Sequence, residues 1–214
     1  RAKHFYIEAD DVHVVSTGGS NHGILYGSGG CSNSTIKNSS VDGYSQVGGI
    51  AGYNNAYNIS QVIIENSQIS GNQYVGGIYG NGNRPISYTY ITNSNISGNN
   101  STSTYVGGFL GINGGDVFNS GIYHSNIINP GNYTGGITGG NAGNIYLNSI
   151  QDCVISGNNY VGGLAGMTDG VSIRTFRDNT IHATINASGS GAGGILGYYQ
   201  NNYIDTSGSG LRNI

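Results

Sequence analysis

A glycine doublet that keeps returning limits the folds open to this chain more than anything else in it. It appears as Tyr74-Val75-Gly76-Gly77-Ile78-Tyr79-Gly80, Tyr105-Val106-Gly107-Gly108-Phe109-Leu110-Gly111, Tyr133-Thr134-Gly135-Gly136-Ile137-Thr138-Gly139 and Tyr160-Val161-Gly162-Gly163-Leu164-Ala165-Gly166. Two copies lack the tyrosine, one around Gly48-Gly49 and one around Gly193-Gly194, and Gly23-Ile24-Leu25-Tyr26-Gly27 reads as a degraded first copy. The leading glycines are spaced by 28, 31, 28, 27 and 31 residues. A period of this length signals a repeat architecture in which each unit buries its apolar side only against its neighbours.

A second pattern travels with the first. Ile36-Lys37-Asn38-Ser39-Ser40-Val41 is followed, one period later each time, by Ile64 to Ile69, Ile91 to Ile96, Ile122 to Ile127 and Ile150 to Ile155. Phe176 to Ile181 aligns as the next member. Short β-branched runs punctuated by Gly and Asn, with no helical apolar period, predict strands and turns. The expectation is all-β: a parallel β-solenoid (β-helix) of about six to seven coils of ~28 residues, with three short strands in each. Ile64 and Ile69 are five apart, so alternation puts them on opposite faces unless the chain turns a corner between them. The column Asn38, Asn66, Asn93, His124, Asp152, Asp178 is the expected corner, because Asn and Asp tolerate the left-handed conformation. Likewise Val75 and Ile78 both point inward only if the glycines between them bend. The pairs Gly48/Gly49, Gly76/Gly77, Gly107/Gly108, Gly135/Gly136, Gly162/Gly163 and Gly193/Gly194 are the expected bends, where glycine also permits close backbone approach.

The repeat fills nearly the whole chain, so one solenoid domain over residues 17–214 is expected. Residues 1–16 are read as an entry strand or cap over its first edge. The start of the chain has no apolar signal core and the end no polar cap, which reads as a piece of a larger protein. Insertions are expected at Ser101 to Thr104 and at Thr184 to Gly191. Cys31 and Cys153 fall in different columns about four repeats apart, roughly 19 Å at one strand spacing per coil. A disulfide spans at most about 7 Å between Cα atoms, so both thiols are expected to be free or buried.

Composition excludes some function classes. Only 7 of the 214 residues are Lys or Arg and the net charge is −3, so no basic stripe exists to neutralise phosphates and no nucleic-acid partner is expected. No apolar run approaches the roughly 18 residues of a membrane helix, so no membrane insertion is expected. His4, His13, His22, His124 and His182 show no His-Glu-x-x-His spacing, so neither a metal site nor a cofactor is expected. His124 reads as a substituted corner residue.

The copies of Val-Gly-Gly-Ile/Leu-x-Gly, each paired with an Ile-x-Asn-Ser strand and a Ser-Gly turn, resemble the GLUG repeat over residues 36–197. The chain departs from that pattern in carrying Ile or Phe where the family has Leu, which Leu164 keeps. GLUG repeats occur in bacterial surface proteins and in non-catalytic regions of IgA-cleaving metalloproteases. The resemblance implies an extracellular module of the bacterial surface or a secreted protein, and no catalytic residue.

Two constellations compete for a function. The column Tyr74, Tyr105, Tyr133, Tyr160 is expected to point outward as rings about 5 Å apart. It is either a stacking platform for a ligand or a support for the sheet. Asp152 and Asp178, read as column neighbours, would lie about 5 Å apart, within the range of a glycosidase carboxylate pair, or serve simply as corner hydrogen-bond acceptors. The expected function is a non-catalytic binding or spacer module of an adhesin or secreted protein. Its partners would be host or environmental glycans or protein surfaces, with end-to-end stacking on neighbouring domains. The alternatives are an ice-binding solenoid, since Asn-x-x-Ile-Ser-Gly-Asn resembles ice-binding repeats of plants; a polysaccharide-degrading β-helix enzyme; and a phage tail-fibre receptor-binding domain.

Overall fold

Ile64 and Ile69 are both completely buried, and the residue that lets them be so is Asn66, at φ 48°. The same turn recurs at Asn38, Asn93, His124 and Asp152, with φ between 48° and 53°, and at Asp11 (φ 58°) before them. A left-handed residue reverses the alternation, so the isoleucines on either side face the same interior. After Asn38, Asn66, Asn93 and His124 the next residue is a buried serine. Its hydroxyl donates to the carbonyl two residues back, as from Ser67 to Glu65 (2.8 Å) and from Ser94 to Thr92 (2.8 Å). It also accepts the backbone N–H of the serine one coil earlier, as Ser94 does from Ser67 (3.1 Å). The corner's polar groups are therefore satisfied from coil to coil inside the core.

The computed structural model describes residues 6–168 and 175–199. They are all-β, stacked as a parallel β-solenoid of about seven turns. One turn runs through Val62–Glu65, Gln68–Gly71, Tyr74–Gly76, Tyr79–Gly82 and Ile86–Ser87. There are thus five short segments per coil where three were expected. The first three segments of successive coils belong to a 17-stranded sheet, the fourth segments to a 7-stranded sheet and the fifth to a 5-stranded sheet. Isoleucines and valines of every coil fill the space between them.

The fifth segment ends in a second left-handed corner that the sequence pattern did not announce. Asn33, Gln61, Tyr88, Asn119, Leu147 and Asp178 occupy it, with φ between 49° and 59°. Except after Gln61, where Val62 stands, a buried small polar residue again follows: Thr89 N–H donates to Ser120 Oγ (3.2 Å), Ser120 N–H to Asn148 Oδ1 (3.1 Å) and Asn148 N–H to Asn179 Oδ1 (3.1 Å). The two corners share one device, a left-handed residue backed by a buried hydroxyl or amide.

The doublet glycines work differently from the expected bends. None of them has a positive φ; of the glycines among the described residues only Gly19, Gly29 and Gly191 do. Close approach is what demands them, except at Gly194 in the last coil, where a Cβ would meet nothing within 4 Å. A Cβ on Gly107 would sit 2.1 Å from Leu110 O and 2.4 Å from Thr138 Cα. On Gly108 it would sit 2.1 Å from Gly136 O of the next coil. The third glycine is under the same constraint: on Gly111 a Cβ would lie 2.7 Å from Val75 N. The third and fourth segments press backbone to backbone at this edge, so no side chain fits between them.

The other differences from expectation lie toward the two ends of the stack. Of the N-terminal stretch read as an entry strand or cap, Glu8–Asp10 and His13–Val15 are strands that pair in parallel register with Thr35–Lys37 and Ser40–Asp42, as the first turn of the same solenoid. Phe176 does not continue the Ile150 column but pairs with Ile145, and Ile181 pairs with Ile150. Asp178 therefore belongs to the second corner. The last coil makes its first corner with one residue fewer, which leaves Asp152 unpaired between Gln151 and Cys153. Finally, Thr184 to Ala187 lie in strand; one extra residue does fall between Ala187 and Ala192, but most of the extra length of that coil lies between Thr168 and Phe176, eight residues where Asn141 to Ile145 takes four. Part of that stretch lies outside the described residues, as do residues 1–5 of the expected cap, His4 among them. Cys31 and Cys153 are buried and free. Cys153 takes the serine position of its corner, its Sγ donating to Gln151 O (3.2 Å).

Candidate functional site

The tyrosine column forms as a continuous row. Ring centroids are 5.8 Å apart for Tyr74–Tyr105, 4.9 Å for Tyr105–Tyr133 and 5.3 Å for Tyr133–Tyr160, with planes within 16° of parallel. Tyr198, from the fourth segment of the last coil, closes the row at 4.8 Å and 50°. The rings are half-buried, and Tyr105 leans over Gly140, where a Cβ would come within 2.9 Å of its ring. Tyr133 and Tyr160 hold left-handed backbones (φ 53° and 55°), a cost that the stacked ring on either side offsets. Burial, then the neighbouring phenols Tyr133 and Tyr74, raises the pKa of Tyr105 above its usual value; burial, then Tyr160 and Tyr198, does so for Tyr133. These phenols are neutral at ordinary pH. Because their faces are engaged with one another, the row offers a ligand ring edges and hydroxyls.

A shorter aromatic row lies outside the columns read from the sequence. Phe118 and Tyr146 stack at 5.1 Å and 3° on the outside of the fifth segments, and the Arg177 guanidinium lies 5.3 Å over the Tyr146 ring. Its signal was present: Phe118 and Tyr146 are 28 residues apart, one period.

The carboxylate pair does not form as expected. Asp178 pairs by corner with Leu147, not with Asp152, and sits 3.6 Å from Arg177. Asp152 instead has histidines on either side, His124 at 3.7 Å and His182 at 3.1 Å, all well exposed. Among the described residues no group of three His, Cys, Asp or Glu side chains is arranged to hold a metal ion. The polar rows on the second segments bond along the stack: Ser70 donates to Asp42 (2.9 Å) and Asn126 to Asn95 (2.8 Å). In the loop insertion Ser101 and Thr102 are exposed, but Ser103 folds back and is fully buried.

No protein-family model matches the chain, and neither a curated protein nor a solved structure is significantly similar to it.

Proposed function

We propose that this chain is a non-catalytic binding or spacer module of an extracellular protein, on a bacterial surface or secreted, that meets glycan or protein surfaces through the outside of its solenoid. The observation that carries the reading is the aromatic row: five tyrosines held along the outside of a stiff stack at 4.8–5.8 Å intervals. A rod with in-register backbone pairing on every coil keeps such side chains in fixed positions, so a partner meets a preorganised surface. The GLUG-like repeats support the surface or secreted setting. With 8% charged residues, contact rests on aromatic and amide groups rather than on ion pairs.

The test is binding of the purified chain to a glycan array and to whole cells across ionic strength. Saturable binding that holds from about 0.05 to 1 M salt is expected, since screening at these concentrations removes charge-driven contacts. Absence of saturable binding, or binding that disappears with salt, counts against the reading.

A further inference from the structure

The second corner carries residues that the fold does not need. Tyr88 is left-handed (φ 49°) and 50% exposed; Leu147, two coils on in the same column, is left-handed (φ 59°) and 45% exposed. A left-handed backbone is costly for both residue types and cheap for Asn, which stands between them at Asn119. Each side chain is only about half-buried, so burial offsets the cost in part. Tyr90, at the start of the next segment, is 39% exposed. One coil further, Gly121 replaces the side chain that Tyr90 supplies, and Tyr123 folds back over it: a Cβ on Gly121 would lie 2.4 Å from the Tyr123 hydroxyl.

These residues line one open groove of about 420 Å³, with Asp178 at its far end. That size lies in the range of small-ligand sites. Among the described residues Tyr88, Tyr90 and Tyr123 stack on no other ring, and neither their hydroxyls nor the Asn119 amide is hydrogen-bonded. Three phenol rings with no ring partner thus stand beside unpaired donors and acceptors.

We infer that this groove binds a neutral carbohydrate of about two sugar units, its C–H faces on the Tyr88, Tyr90 and Tyr123 rings and its hydroxyls on Asn119 and Asp178. A wholly apolar ligand would leave the amide and the phenol hydroxyls unpaired, which is costly. An anionic one would face the Asp178 carboxylate, and the nearby Arg177 is already engaged with that carboxylate and with the Tyr146 ring. The inference deepens the proposed function by naming a ligand class and moving its contact from the tyrosine row to the corner.

The test is saturation-transfer NMR and calorimetry of the full chain with cellobiose, maltose, lactose and chitobiose. At least one should bind, with saturation reaching the sugar C–H protons. Tyr88→Asn should weaken that binding by about tenfold or more, the order of one aromatic stacking contact. Its melting temperature should not fall, because Asn suits the corner better than Tyr. Leu147→Asn serves as a second variant of the same kind. Unchanged sugar affinity in Tyr88→Asn overturns the groove. If Tyr105→Ser/Tyr133→Ser abolishes sugar binding while Tyr88→Asn keeps it, the groove fails and the proposed function stands. If no sugar binds and sedimentation shows a dimer that Tyr88→Asn dissociates, the patch is a contact between copies and the inference is wrong.

Discussion

The tyrosine row and the corner groove use the same residue in opposite ways. In the row, Tyr74 to Tyr160 stack face to face at about one coil spacing, and the left-handed backbones of Tyr133 and Tyr160 are offset by ring contact on both sides. In the groove, Tyr88 has the same strained backbone, half its surface in water and, among the described residues, no ring stacked on it. Strain balanced by packing is what a scaffold requires. Strain without packing persists at positions with another use. In this molecule periodicity marks structure, and departures from periodicity mark candidate chemistry.

The glycines beneath the two regions give the largest predicted contrast. Gly107→Ala under the row should destabilise by about 3 kcal/mol, the upper end of overpacking, because backbone atoms on two coils would have to move. Gly121→Ala under the groove should cost about 1 kcal/mol or less, the lower end of the same range, since only the Tyr123 side chain must swing away. Thermal melts of the two variants check this; equal losses would erase the distinction.

Next in size is the row itself. Tyr105→Ser/Tyr133→Ser removes three ring pairs at about 0.5–1 kcal/mol each, so roughly 2 kcal/mol should be lost in a denaturant titration. The row also makes stability depend on pH in the alkaline range. The phenol pKa values of Tyr105 and Tyr133 are raised in the fold, so the folded state holds its protons longer than the unfolded one. Their contribution is complete below the unfolded value of about 10 and is lost as pH rises through the folded values. Tyr105→Phe/Tyr133→Phe should flatten that alkaline decline in a melt series, and a decline of unchanged steepness would locate it elsewhere.

The smallest effect has the opposite sign. Tyr88→Asn should raise stability by about 0.5 kcal/mol, by relieving a left-handed tyrosine that is only half-buried. A measured loss would show that the ring is packed after all.

Much of the scaffold could be read because its columns are chemically uniform. Asn38, Asn66 and Asn93 announce one corner by repetition, and Ile64 with Ile69 says which side is buried. The other corner could not be read, since Gln61, Tyr88, Asn119, Leu147 and Asp178 share a backbone conformation but no chemistry. Register failed where length changed. The last coil is lengthened after Thr168 and loses one residue at its first corner, between His182 and Ala183. Asp178 consequently falls beside Leu147 in the second corner, away from Asp152 in the first. The outward direction of the tyrosine column followed from alternation, but its stacking depends on ring tilt over the neighbouring sheet, which alternation does not contain. The groove depends on Gly121 leaving space for Tyr123, an event in three dimensions at a single coil.

The division between the two sets of tyrosines can be observed in one NMR titration, of the chain carrying ring-labelled tyrosine with the tightest-binding sugar of the panel. Signals of Tyr88, Tyr90 and Tyr123 should shift and saturate together, while those of Tyr74, Tyr105, Tyr133 and Tyr160 stay within the change seen for a non-binding sugar. Saturating shifts along the row, with the corner signals unmoved, would contradict the division between paired rings that build the stack and unpaired rings that bind.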